Sequence, residues 1–321
     1  MALIHAPEDI AEIAPHSNND GFAYESEEFA RFQEKNTSDM DATILSTVNA
    51  ASTANAADKY YGVLIHAPEE IAEIAPYSNN YGFAYKLGEF ARFQEHNPQG
   101  LGATIMVTDY FTNESGLFDG DIDLLINEIN QHKNQGQTLI ILMDEPAWVI
   151  RLACQRGKKT ACDDVAAGFS QTLATMEQAA IQFKANIPGI KIWHNMAYAE
   201  LFLSGVNMIH NADLYSFDCY GAWQACGYPV YGYHSQEEMG FMVYKEMMRH
   251  ESENPTGRKM MLIPGAYNAW GFPNKYAILS QLEEYKKLHK ADFVAGSAIF
   301  YYSGYKDMPE VRDYIQNEYF R

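Results

Sequence analysis

Asp144 and Glu145 stand side by side directly after the apolar run Thr138 to Met143, and Pro146 and Trp148 follow them. Two adjacent acids can divide the work of acid–base chemistry, because the charge on one raises the pKa of the other and keeps a proton available near neutral pH. Asp218, in SFDCYG, is a third acid closing a short apolar run, and Asp109, in IMVTDYF, is a fourth. His194 and Asn195, in IWHNM, and Asn268, in GAYNAW, add hydrogen-bonding groups at similar places. The plainer alternative is that Asp144 caps the next helix and Glu145 is solvated, since short motifs often match by chance.

The elements that would carry these groups come next. Thr138 to Met143 is an unbroken apolar and β-branched run, the pattern of a strand buried on both faces in a parallel sheet. Pro146 cannot continue the ladder. Further strands are read at Gly62 to His66, Ala103 to Thr108, Ile190 to Trp193, Asp213 to Phe217, Lys259 to Ile263 and Phe293 to Phe300. Helical spacing marks Asp121 to His132, Val165 to Phe183, Met239 to Met248, Tyr276 to His289 and Glu310 to Tyr319. The alternation predicts an α/β fold, a (β/α)8 TIM-like barrel spanning 62–321. In such a fold ligands are handled at the carboxyl ends of the strands, where the acids fall. Seven strands are visible from Gly62 onward; an eighth is either Tyr228 to Tyr233 or Ala42 to Thr47. An open doubly wound sheet is the rival fold.

Residues 1–61 form a separate duplicated segment and linker. Ala2 to Asn36 returns almost unchanged at Val63 to Asn97, at a constant offset of 61. Two near-identical units indicate a tandem duplication rather than a solenoid, which needs at least three units. The second copy runs straight into the rest of the fold and is taken as the functional one. Exchange of one copy with its twin in another chain would allow self-association.

The net charge of −19 argues against nucleic acid or an anionic membrane as partner, since both call for clustered Lys and Arg. No run of about 18 apolar residues exists to span a membrane. Cys154 with Cys162 and Cys219 with Cys226 form two close pairs that would suit local disulfides and a secreted or periplasmic protein, although no signal peptide is visible. The metal, nucleotide and serine-hydrolase motifs are all missing, so neither a metal nor a cofactor is expected.

Aromatic residues gather around the polar groups. Trp148, Trp193, Trp223 and Trp270 all fall just beyond predicted strands, together with Tyr220, Tyr267 and Tyr301. Flat rings around polar groups suit a ligand with apolar faces and hydroxyl edges, such as a sugar. Glycoside hydrolysis needs an acid for the leaving oxygen and a second negative group for the oxocarbenium-like centre. Here Glu145 would protonate the leaving group, while Asp144 would orient a substrate group such as a 2-acetamido.

A strand ending in DE at a barrel mouth lined by Trp and Tyr resembles the TIM-barrel glycoside hydrolases, particularly those acting on N-acetylhexosamines by substrate assistance. The resemblance rests in motif on Asp144 and Glu145 alone, and the D-x-x-D-x-D-x-E run of chitinase-like families is missing. It implies a retaining glycosidase acting on an oligo- or polysaccharide, with Glu145 as acid/base and Asp144 assisting. Within the same class, Asp218 could instead serve as a covalent nucleophile. Asp109, Trp148, Trp193, His194, Asn195, Tyr220, Trp223, Tyr267, Asn268, Trp270 and Tyr301 would bind substrate. A non-catalytic carbohydrate-binding barrel, or a lyase or isomerase with His194 or a tyrosine as base, are the alternatives.

Overall fold

The computed structural model describes residues 59–113, 117–119, 121–155, 165–197, 208–218, 257–266 and 275–321. Eight parallel strands close into a barrel in sequence order. They are β1 (Tyr60–Leu64), β2 (Asn80–Ala84), β3 (Gly102–Met106), β4 (Leu139–Asp144), β5 (Lys191–Ala197), β6 (Leu214–Asp218), β7 (Lys259–Leu262) and β8 (Val294–Ile299). Every residue of β3, β4 and β6 is buried, as expected of strands covered by helices outside and side chains inside. The open-sheet alternative is excluded by the β1–β8 pairing.

The eighth strand is β2, which neither sequence candidate named. Its segment, Asn79-Asn80-Tyr81-Gly82, is made of residues that usually mark turns. Here they serve barrel closure. The Asn79 side chain accepts from the Tyr61 N–H at 2.8 Å and donates to the Lys59 carbonyl at 2.7 Å, continuing the β1 ladder. Asn80 turns inward and accepts from the Thr104 hydroxyl at 2.7 Å. Gly82 leaves room for Leu64: a Cβ there would come within 2.1 Å of its Cδ2. The residues Thr138 to Met143 therefore do form the fourth strand, but with β2 rather than Ala42 to Thr47 as the missing element; both sequence candidates for the eighth lie outside the described residues.

The helices begin with α1 (Glu70–Ile74), α2 (Glu89–Glu95), α3 (Thr108–Phe111) and α4 (Asp123–His132). They continue with α5 (Pro146–Gln155), α6 (Val165–Asn186), α7 (Lys275–Leu288), α8 (Tyr302–Tyr305) and α9 (Pro309–Tyr314), the last running into a π-turn, Ile315–Tyr319. The second repeat copy thus supplies the end of β1 and all of α1, β2 and α2, about a quarter of the barrel. Its core is aromatic: Phe83 and Phe93 stack with centroids 4.2 Å apart, and Tyr81 lies nearly parallel to Phe93 at 5.9 Å. The start of α2 is capped from outside by buried Glu128 of α4, which accepts from the N–H groups of Gly88 and Ala91 and from the Tyr85 hydroxyl. Cys154 lies near the end of α5, in a helix rather than a loop, whereas Cys162, Cys219, Cys226 and the helix read at Met239 to Met248 fall outside what the structure describes.

Candidate active site

Period-two alternation carries Ile140, Leu142 and Asp144 of β4 onto the inner face of the barrel, and Leu214, Ser216 and Asp218 of β6 likewise. On β5 the inward set is Trp193, Asn195 and Ala197. Hydrogen bonds join these three strands. The Asn195 amide nitrogen donates to Asp144 Oδ1 at 2.7 Å and to Asp218 Oδ1 at 3.0 Å. The Ser216 hydroxyl donates to Asn195 Oδ1 at 2.6 Å, and Trp193 Nε1 donates to Ser216 Oγ at 2.7 Å.

Glu145 follows β4 at the barrel mouth with φ +40°, left-handed for a non-glycine residue. Its N–H donates to the Asn195 carbonyl at 3.0 Å, and the preceding N–H, of Asp144, donates to Thr108 Oγ1 at 2.6 Å. Pro146 then opens α5, a place where its missing N–H costs nothing. The chain is thus turned sharply at Glu145, and a backbone in this region costs on the order of 1 kcal/mol, which the flanking bonds hold in place.

Three carboxyls are buried together: Asp144 is 8% exposed, Glu145 6% and Asp218 2%. The carboxyls of Asp218 and Glu145 hydrogen-bond to each other. Burial pushes the Asp218 carboxyl well above the usual carboxylate range, and the charges of Glu145 and Asp144 add to the effect. Asp144 is also raised, first by burial and then by Glu145 and Asp109, while the Asn195 N–H holds it back. A proton is therefore retained within the cluster at pH values where isolated carboxyls have lost theirs.

Around this cluster, Asp109 is exposed on α3 after β3, and Trp148 is half-buried in the first turn of α5. Tyr301, half-buried after β8, packs edge-on against exposed His66 after β1, with ring centroids 4.7 Å apart. The His66 and Ala67 N–H groups both donate to Glu70 Oε2, which fixes that loop. Beneath this ring pair, Leu64, Phe83, Met106 and Phe300 help line a cavity of about 10 Å³, room for one water.

Two predicted substrate contacts are placed elsewhere. Trp193 lies in the middle of β5, not beyond it, because the strand runs four residues past the predicted end to Ala197. It is fully buried inside the barrel and presents no surface to a sugar. His194 points to the opposite face of the strand from Asn195. There its Nδ1 accepts from the Ile209 N–H at 3.2 Å, and burial, with the Arg258 charge next, lowers its pKa to about 3. It is a neutral packing group outside the barrel. Tyr220, Trp223, Tyr267, Asn268 and Trp270 lie outside the described residues. Ser216 and Thr108 were not singled out in the sequence, although Ser216 stands two residues before Asp218, on the same face of its strand. Among the described residues, no cluster of three or more His, Cys, Asp or Glu is arranged to hold a metal ion, and no helix is long and apolar enough to cross a membrane.

No family model matches the chain, and no curated protein resembles it in sequence. Solved structures do match in fold. A calcium-binding mutant of Bacteroides uniformis beta-glucuronidase 2 superposes with a TM-score of 0.50 at 17% identity, over 76% of this chain and 30% of that one. A putative beta-galactosidase from Bacteroides fragilis gives 0.48 at 14% identity, over 76% and 36%. A family 1 beta-glucosidase from Thermotoga maritima gives 0.47 at 11%, over 73% and 75%. The chain spans about a third of the length of the first two. The first of these likenesses shows the TIM-barrel fold.

Proposed function

We propose that the chain is a retaining glycoside hydrolase acting on an oligo- or polysaccharide, with Glu145 as general acid/base and Asp144 assisting. The observation that carries this is the seat of Glu145: a buried acid on left-handed backbone at the mouth of a barrel, hydrogen-bonded to a second acid and adjacent to a third. Strained backbone held by surrounding bonds is a feature of functional sites. Burial raises the Glu145 carboxyl, but the hydrogen bond from Asp218 helps bring it below its ordinary range. Asp218 therefore holds the shared proton at rest; Glu145 receives that proton and hands it to the leaving oxygen.

The direct contact between Glu145 and Asp218 bears on the second group. A retaining pair of acid and nucleophile stands about 5–5.5 Å apart, with the sugar carbon between them. Two carboxyls in hydrogen-bond contact leave no such gap. This favours Asp144 orienting a 2-acetamido group, which then attacks internally, over Asp218 as a covalent nucleophile. The same closeness also fits the second reading, a carbohydrate-binding barrel without activity. The isomerase reading loses its histidine base, because His194 lies on the outer face of β5.

Hydrolysis of aryl glycosides and polysaccharides, N-acetylated and not, by the wild type and Glu145→Gln is the test. Loss of about 10²-fold or more in kcat for the variant is expected, the usual contribution of a positioned acid. Equal rates would remove Glu145 from the mechanism. Sugar binding without turnover in either protein would establish the silent barrel.

Self-association through the repeat is the weaker expectation. Exchange would seat Asp20 where the fully buried Tyr81 stands, and Glu27 where Gly88 takes φ +83°. A monomer at all concentrations in light scattering is the expected result.

A further inference from the structure

We propose that Trp193, acting through Ser216, holds the Asn195 amide with its N–H groups facing Asp144 and Asp218, making Asn195 a positioning residue for the acids rather than a contact for sugar. The inference rests on the hydrolase reading for its purpose, but its geometry stands without it.

The argument is an inventory of protons. The indole N–H of Trp193 can only donate. It occupies a lone pair of Ser216 Oγ at 2.7 Å, in a fully buried setting. The single hydroxyl proton of Ser216 then has Asn195 Oδ1, 2.6 Å away, as its acceptor. With that oxygen engaged, the two amide hydrogens of Asn195 can go only to the other side, and there stand Asp144 Oδ1 and Asp218 Oδ1. A reversed amide would place a carbonyl oxygen against two carboxyl oxygens and an N–H₂ against a hydroxyl whose own proton has no acceptor. Buried polar chains of this kind carry a heavy penalty when any link is left unpaired.

The consequence for the acids is asymmetric. One oxygen each of Asp144 and Asp218 is tied to the same amide, which fixes the spacing of the two side chains across β4, β5 and β6. Glu145, whose own N–H is bound to the Asn195 backbone, is thereby set against the Asp218 carboxyl. Among the described residues, the charged or titratable groups facing the cluster are Asp109 on α3, Glu145 just after β4 and Tyr285 on α7, whose ionisation Asp218 opposes.

The test is carboxyl titration by NMR in the wild type, Ser216→Ala and Trp193→Phe, alongside the pH–rate profile. Ser216→Ala frees the amide to turn, and roughly ten-fold weaker ionisation of Asp144 is expected from loss of one hydrogen bond to a charged acceptor. Trp193→Phe keeps an aromatic ring but removes the N–H, and a smaller shift in the same direction is expected. Any acid limb of the rate profile should move with the titration. Unchanged carboxyl titration in both folded variants would overturn the proposal. If no glycoside is hydrolysed but the titrations move, the relay stands and the hydrolase reading falls.

Discussion

The N–H of Glu145 donates to the carbonyl oxygen of Asn195 across 3.0 Å, so a residue in left-handed conformation is clamped to the neighbouring strand by its backbone while its carboxyl engages Asp218. The backbone and side chain of one position therefore pull in different directions. A glycine would relax the first and abolish the second. Glu145→Gly is expected to be about 1 kcal/mol more stable than Glu145→Ala in urea unfolding, because only alanine meets the steric cost of positive φ. Both should lose hydrolysis. Equal stabilities would mean that the turn carries no strain.

The raised pKa of Asp218 makes stability depend on pH in a definite direction. Below the ordinary carboxylate value of about 3.9 both folded and unfolded chains hold the proton, and the group has no effect. Above it the unfolded chain releases its proton while the folded one retains it, so stability is lost as pH rises toward the folded pKa. Asp218→Asn keeps the shape and removes the titration. Its stability relative to the wild type should grow by about 1.4 kcal/mol per pH unit across this window. A difference independent of pH would show that Asp218 ionises normally.

His194 acts in the opposite sense. Its pKa is lowered to about 3, so between the ordinary value near 6.5 and that point the unfolded chain binds a proton that the folded one refuses. Stability falls as pH drops through this range. His194→Asn retains an acceptor for the Ile209 N–H and should flatten the acid side of the stability curve, whatever its stability at neutral pH. A slope equal to that of the wild type would place a charged, solvated histidine at this site.

Tyr81 is fully buried against Phe83 and Phe93, and its hydroxyl has no partner among the described residues. Tyr81→Phe is therefore expected to stabilise the barrel, by about 1 kcal/mol, since it removes an unpaired polar atom without changing the stack. Tyr81→Asp, which introduces the residue found at the matching position of the first copy, should destabilise by more than about 3 kcal/mol and yield little folded protein. Thermal melting of the two variants checks both. A destabilised Tyr81→Phe would reveal a hidden partner for the hydroxyl.

Much of the barrel was legible from apolar runs: seven strands and the helices at Asp123–His132, Val165–Asn186 and Lys275–Leu288 follow from periodicity that core burial imposes. The missing strand was hidden because Asn79, Asn80 and Gly82 do in β2 what such residues commonly do in turns. Their roles depend on partners 18 to 24 residues away, which no local pattern contains. The site was half legible. Asp144 and Glu145 stood out because two acids interrupt a buried strand. The fate of IWHNM was not readable, because alternation in a strand sends Trp193 and Asn195 one way and His194 the other, and nothing in the segment says where the strand stops. Ser216 drew no notice because a serine in a strand is ordinary until a tryptophan and an asparagine claim its two bonding functions.

The duplicated stretch coincides with a structural quarter, beginning within β1 and ending after α2. A duplication with such boundaries hands natural selection two versions of one part, of which the second is policed by the ring stack of β2 and by the left-handed turn at Gly88. The first copy carries Asp20 and Glu27 at these two places, the substitutions that the barrel would reject. Among relatives that share the duplication, differences should therefore accumulate faster in residues 2–36 than in 63–97, and at the counterparts of Tyr81 and Gly88 first.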